Sequence, residues 1–257
     1  RLKRSKKNLL FFLTGLIRLP TRNSSRRGEL DAYEDPMGIM RNDGTSIVIE
    51  TSLEHRNDTL FIVFSGFGYT IAHPLLHYSK CVAKELLRDY IGVDYDYVRN
   101  PGFLSLPGKE QDAYFETDTA LVREYILDKS GKYAHLVLVG KSMGTSIINR
   151  LLDTEEIIKK STIVLMTPGT EWDAIIKKII RIKNSVLVVG SKNDKHYMIE
   201  GLEAIYKKDT IEVLEIEDGN HALETGIVEN DIEIIKRVIT TLKSFVVRQI
   251  NLPAGLH

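Results

Sequence analysis

The sequence predicts an α/β protein with a mostly parallel central sheet and helices on both faces. Three observations carry this. Short apolar runs rich in branched residues recur, at Leu60–Ser65, Leu136–Val139, Thr162–Met166 and Ser185–Val189. Runs of that length without polar alternation suit strands covered on both faces. Stretches with helical spacing of apolar residues separate them, as alternating strand and helix in a layered fold require. Finally, glycines follow three of these runs, at Gly66, Gly140 and Gly190, and Gly219 comes soon after a further run at Ile211–Ile216. With 257 residues, 43% of them hydrophobic, the chain has material for one large domain.

Taken in order, residues 1–28 stand apart from residues 29–257, which are read as the single domain. Of the 35 Lys and Arg residues, nine fall in residues 1–28, which hold no acid; the rest of the chain is left with 26 basic against 35 acidic residues. A net charge of −9 on the main body argues against nucleic acid as its partner. Leu9–Ile17 is apolar but too short to span a bilayer, and Leu19-Pro-Thr-Arg is not a small-residue cleavage site. A membrane-surface segment, a targeting segment and a helix packed on the domain stay open for residues 1–28. The domain itself is expected in the cytoplasm. Cys81 has no second cysteine to pair with and reads as a small buried hydrophobe.

Residues 29–45 are turn-rich, with Asn42-Asp43-Gly44 the clearest turn. Strands are expected at Ser46–Thr51 and Leu60–Ser65. Pro74 opens a helix whose apolar face, Leu75, Val82, Ala83, Leu86, Leu87 and Tyr90, predicts that it runs to Tyr90. Val93–Val98 reads as a strand, Arg99–Gly108 as a loop and Glu110–Asp128 as a helix. After the central strand come a helix to Leu152, a strand at Thr162–Met166, a helix at Asp173–Ile182, a strand at Ser185–Val189, a helix at Met198–Lys207, a strand at Ile211–Ile216 and a final helix at Asp231–Gln249. His73 and His77 read as solvated or capping residues.

The chain is organised around His135-Leu-Val-Leu-Val-Gly140-Lys-Ser142-Met-Gly144. A strand, then Gly-x-Ser-x-Gly, then a helix, is the pattern of a strained turn that lifts a serine hydroxyl above the end of a sheet. Gly140-Lys141-Ser142 also resembles the end of a phosphate-binding loop, but His135 stands where that motif needs its first glycine. Upstream, Gly66-Phe67-Gly68 lacks the third glycine of a dinucleotide fingerprint, since Ile71 occupies the place; it suits a loop that turns an N–H towards an acyl oxygen.

Each of Gly66-Phe67-Gly68, Ser142, Asp194 and His221 follows a predicted strand, so all four belong on one sheet edge. Serine needs a base to act as nucleophile, and histidine suits that task near neutral pH. A carboxylate fixes the imidazole tautomer. Glu171 and Asp173 compete with Asp194 for that place, and Asp194 is favoured because it lies one strand before the histidine.

Gly140-Lys-Ser142-Met-Gly144, Ser191-Lys-Asn-Asp194 and Gly219-Asn-His221 together resemble the α/β-hydrolase superfamily, and Phe64-Ser-Gly66-Phe67-Gly68-Tyr69 resembles its oxyanion loop. The resemblance covers residues 46–250. It implies Ser142 as nucleophile, His221 as general base and acid, Asp194 as its orienter, and the N–H groups of Phe67 and Met143 as the oxyanion hole. It implies no metal and no organic cofactor. Ser65 stands where many members carry histidine. The expected activity is hydrolysis of a carboxylic ester or thioester of small-to-medium acyl size. The short connection after Met166 leaves no room for a large cap. Gly66, Tyr69 and Trp172 are candidates to line the substrate pocket, with Phe103 and Leu104 as further apolar wall. A non-catalytic scaffold of the same fold is the alternative, and a nucleotide-binding protein a third reading.

Overall fold

Strands and helices alternate through a computed structural model that describes residues 16–18, 37–54, 57–169, 171–197 and 202–250. β1 (Leu16–Arg18), β2 (Met37–Met40) and β3 (Ser46–Ser52) form an antiparallel edge. β4 (Thr59–Phe64), α1 (Pro74–Glu85) and β5 (Asp89–Asp94) follow. A 3₁₀ turn at Tyr97–Arg99 and the short α2 (Pro101–Leu104) lead into α3 (Gly108–Ser130). Next come β6 (His135–Lys141), α4 (Met143–Leu151), α5 (Glu155–Ile158) and β7 (Ser161–Met166). α6 (Trp172–Ile179), β8 (Val186–Ser191), α7 (Leu202–Tyr206), β9 (Ile211–Ile216) and α8 (Val228–Val247) complete the described chain.

One nine-stranded sheet results, ordered β1-β2-β3-β5-β4-β6-β7-β8-β9. β3 runs antiparallel to β5, and β5, β4 and β6 to β9 are mutually parallel. Alternate side chains of each central strand feed two separate cores. Leu60, Ile62, Leu136 and Leu138 pack with residues of α3, α4, α6 and α7. Phe61, Val63, Val137 and Val139 pack with residues of α1 and α8. Each such side chain, fully withdrawn from water, contributes about 1.5–3 kcal/mol.

Several expectations shift. The first strand-linking helix stops at Glu85, not Tyr90, and the next strand is Asp89–Asp94 rather than Val93–Val98. The stop is a Schellman turn: Arg88 N donates to Ala83 O and Leu87 N to Lys84 O, with Leu87 at φ 53° in the place glycine usually takes. Leu87 is therefore exposed, and Tyr90 joins the sheet. In the turn-rich stretch, Asn42-Asp43-Gly44 does turn the chain, with Gly44 at φ 83°, but it links two strands, β2 and β3. Arg41 anchors that hairpin to α3 through a buried pair with Asp118 and bonds to the carbonyls of Tyr95 and Ser46.

The end of the Leu9–Ile17 run and Arg18 form β1, paired with β2; residues 1–15 and 19–28 lie outside the described residues, as does the expected helical start at 198–201. The helix expected to end at Ile182 ends at Ile179. Cys81 is half-buried rather than buried, with its Sγ 3.6 Å from His77 Nε2. No described helix is long and apolar enough to cross a membrane.

Candidate active site

The sheet order reverses at β4: the chain leaves it for β5 on one side and later places β6 on the other. Such a switch point opens a crevice at the carboxyl ends of the strands. The Gly66-Phe67-Gly68 loop follows β4, and Ser142 follows β6, so the two loops meet there. Contact is close enough that a Cβ on Gly66 would lie 3.3 Å from Ser142 Cβ.

Ser142 has φ 53° and ψ −116°, a strained backbone for a residue other than glycine. Its neighbours make the turn possible. A Cβ on Gly140 would come within 2.6 Å of Gly144 O, and one on Gly144 would come within 2.5 Å of Phe64 O. Only glycine lets strand, turn and helix approach so closely. The residue following Ser142 opens α4, so the Met143 N–H has no acceptor within the helix. In the facing loop, Gly66 N donates to Tyr69 O, while the Phe67 N–H makes no hydrogen bond among the described residues. Gly169, after β7, lies over the serine, where even a Cβ would sit 3.8 Å from Ser142 Oγ.

Asp194 follows β8 and His221 follows β9. His221 Nε2 lies 2.7 Å from Ser142 Oγ, and His221 Nδ1 lies 2.6 Å from Asp194 Oδ2. With Nδ1 carrying the proton towards the carboxylate, Nε2 is left to accept from the hydroxyl. Asp194 is 3% exposed. Burial acts to raise its pKa, but hydrogen bonds from His221 and the His196 amide, with the charge of both histidines, outweigh it and hold the carboxyl below its ordinary value. The histidine loop is pinned at three points: Ser191 Oγ bonds Gly219 O, Lys141 Nζ donates to His221 O at 2.7 Å, and Asn220 Oδ1 accepts the Ala222 and Glu224 amides.

An open cleft of about 370 Å³ lies over Ser142 and His221. Phe67, Phe103, Phe115 and Met143 supply apolar wall; Gln111, Asp112, Ser146, Glu171 and His196 supply polar wall. Glu171, a rival for the acid, is bound instead by Arg150, which also reaches Glu116 and lies over the Phe115 ring. Asp173, the other rival, is exposed on α6.

No protein-family model and no curated protein matches the sequence. Solved structures do resemble the chain. An esterase of Pyrococcus furiosus aligns with a TM-score of 0.59 at 12% identity, over 91% of this chain and 97% of that one. An α/β serine hydrolase without lid from Xanthomonas campestris gives 0.57 at 14%, over 89% and 100%. An α/β serine hydrolase homologue from Coxiella burnetii gives 0.58 at 11%, over 83% and 100%. This is the α/β-hydrolase fold.

Within that fold, three pocket candidates sit elsewhere than expected. Trp172 is 1% exposed and turned into the α3/α4/α6 core against Tyr197, because it shares the apolar face of α6 with Ile175, Ile176 and Ile179. Tyr69 lies behind its loop, with its hydroxyl accepting from Leu75 N and its ring near Lys141 Nζ. Gly66 is buried and supports the elbow, where a Cβ would lie 3.1 Å from Lys141 O. Phe103 lines the cleft, but Leu104 points to solvent. His73 Nδ1 accepts from Thr70 N and closes a turn. Sequence reading missed Phe115, His196 and Lys141. His196 had a signal, standing two residues after Asp194; its ring packs edge-on to His221 at 5.0 Å. In the sequence Lys141 is an unassigned letter of the elbow and of a would-be phosphate loop, whereas in the structure its Nζ serves a carbonyl.

Proposed function

We propose that this chain is a serine hydrolase that cleaves a carboxylic ester or thioester of small-to-medium acyl size through an acyl-enzyme. One observation carries the reading: the continuous hydrogen-bonded line from Ser142 through His221 to buried Asp194, set on a strained strand-to-helix turn. Ser142 Oγ attacks the acyl carbon while its proton passes to His221 Nε2. Asp194 holds Nδ1–H and offsets the charge of the imidazolium. The carbonyl oxygen, now an oxyanion, is met by the N–H groups of Met143 and Phe67, with the start of α4 adding a favourable dipole. His221 then gives its proton to the departing alkoxide or thiolate. Water, deprotonated by the same imidazole, attacks the acyl-enzyme and frees Ser142.

The wall of Phe67, Phe103, Phe115 and Met143 suits an acyl chain of modest length, and the open, partly polar cleft suits a substrate not sealed from water. That several proteins of similar structure are described as esterases or serine hydrolases supports the reading. The domain is assigned to the cytoplasm, and residues 1–28, with their basic excess, are the segment that would touch an anionic membrane surface.

Labelling with a fluorophosphonate tests the function. The probe is expected on Ser142, located by mass spectrometry, and absent from Ser142→Ala. A folded chain that takes up no probe and cleaves no member of an ester and thioester panel would instead be a non-catalytic scaffold.

A further inference from the structure

Lys141, the last residue of β6, is 1% exposed, yet no carboxylate lies within ion-pair distance of it among the described residues. The one hydrogen bond of its ammonium among the described residues runs to His221 O, 80 residues away in sequence. The remaining surroundings are the Tyr69 ring, 5.0 Å from Nζ, and the more distant carboxylates of Asp194 and Glu224, which act on it through space. An ammonium has three protons to place and strongly prefers water or a direct anion. Burial pushes this one down to about 7, against the opposing pull of Asp194 and Glu224. A plain space-filling role would be served better by methionine or leucine, which carry no desolvation cost.

We propose that Lys141 is a positioning residue of the triad: its Nζ holds the backbone carbonyl of His221 in register with Ser142. The inference rests on the serine-hydrolase reading. Lys141 immediately precedes the nucleophile, so a bond from it to His221 O ties the base to the strand that carries the serine. The neutral amine still donates an N–H, so the clamp holds in either form of the amine. A misplaced base slows the chemical step and leaves substrate binding alone.

The test compares the whole chain with Lys141→Met, which loses clamp and charge, and Lys141→Gln, which keeps an N–H donor without a titrating charge. First, fluorophosphonate must label wild-type Ser142. Absence of labelling overturns the hydrolase reading and this inference with it. With labelling present, kcat and KM for an activated ester are measured at neutral pH. Lys141→Met is expected to lose on the order of 10- to 100-fold in kcat with KM little changed. Lys141→Gln should recover part of kcat. A folded Met variant with wild-type kcat overturns the inference alone. So does a loss that falls on KM rather than kcat, or a Gln variant no faster than the Met variant. Where the Met variant fails to fold, a fall in the Gln variant confined to kcat supports the inference, and any other result overturns it.

Discussion

Arg150 grips Glu171 with two prongs, Nη1 to Oε2 at 2.7 Å and Nη2 to Oε1 at 2.8 Å, so the wall of the cleft is braced by an ion pair rather than left with a loose carboxylate. Both partners are less than one-third exposed, and the hydrogen bond from Arg150 leads the causes that hold the Glu171 carboxyl below its ordinary value. Breaking the pair from one side strands a partly buried charge. A double-mutant cycle of Arg150→Met and Glu171→Gln, read by urea unfolding at pH 7, is expected to give a coupling of about 0.5–3 kcal/mol. Because the carboxyl is depressed in the folded state, the coupling should be full above its unfolded pKa and fade as pH falls through the folded one. Additive effects at pH 7 would show that the two act independently.

Asp194→Asn changes one oxygen for an amide and keeps the size of the side chain. It should leave His221 in the wrong tautomer, with Nε2 protonated and unable to accept from Ser142. A loss on the order of 10⁴ in kcat is expected, with KM nearly unchanged. A loss below tenfold would mean that Asp194 only packs against the ring.

Glycine at the elbow is demanded by backbone, not by flexible neighbours. Gly144→Ala would drive a Cβ to 2.5 Å from Phe64 O and 2.9 Å from Ser65 O, neither of which can rotate away. A destabilisation of about 3 kcal/mol or more is expected by thermal or urea unfolding. Gly131→Ala is the contrasting case. Gly131 has helical dihedrals, φ −56° and ψ −31°, and nothing within 4 Å of a new Cβ, so the change should stabilise by about 0.4–1 kcal/mol. Equal effects at the two sites would contradict the geometry.

Stability should also carry the imprint of Lys141. Its folded pKa of about 7 lies below the ordinary 10.5, so between those values the unfolded chain binds a proton that the folded chain does not. Stability from this group therefore rises with pH across that window, and its penalty is complete below about 7. Lys141→Met should gain most over wild type at pH 6 and least near pH 10. A pH-independent difference would show that the buried amine is not what titrates.

How much was legible depended on whether the decisive information was local. Ser142, Asp194 and His221 were legible because each follows an apolar run that ends in turn-forming residues, and parallel strands bring such ends to one edge. The limits of α1 and β5 were not. Leu86 and Leu87 continue a helical spacing, and Arg88-Asp89 looks like exposed chain, yet Asp89 is buried, accepting from the Tyr133 hydroxyl and the Glu54 amide. Trp172 drew attention by size, but the tilt of α6 decides whether such a ring faces core or cleft. Phe115 reaches the cleft only because α3 crosses beside α4. The surroundings of Lys141 come from Tyr69 and from His221, segments that the sequence leaves far apart.

Four strand-end loops, after β4, β6, β8 and β9, each bring one part of the candidate site. None of these parts is competent by itself, and the imidazole is the last to be made. During synthesis the serine therefore emerges long before its partner, as an ordinary hydroxyl on an unfinished sheet. On the serine-hydrolase reading, reactivity would arrive together with the final strand pairing, so a nascent or truncated chain ending before β9 would hold no activated serine for an ester or a covalent probe to acylate. For the same reason, regain of fluorophosphonate labelling during refolding would clock completion of the sheet more directly than the return of helical signal.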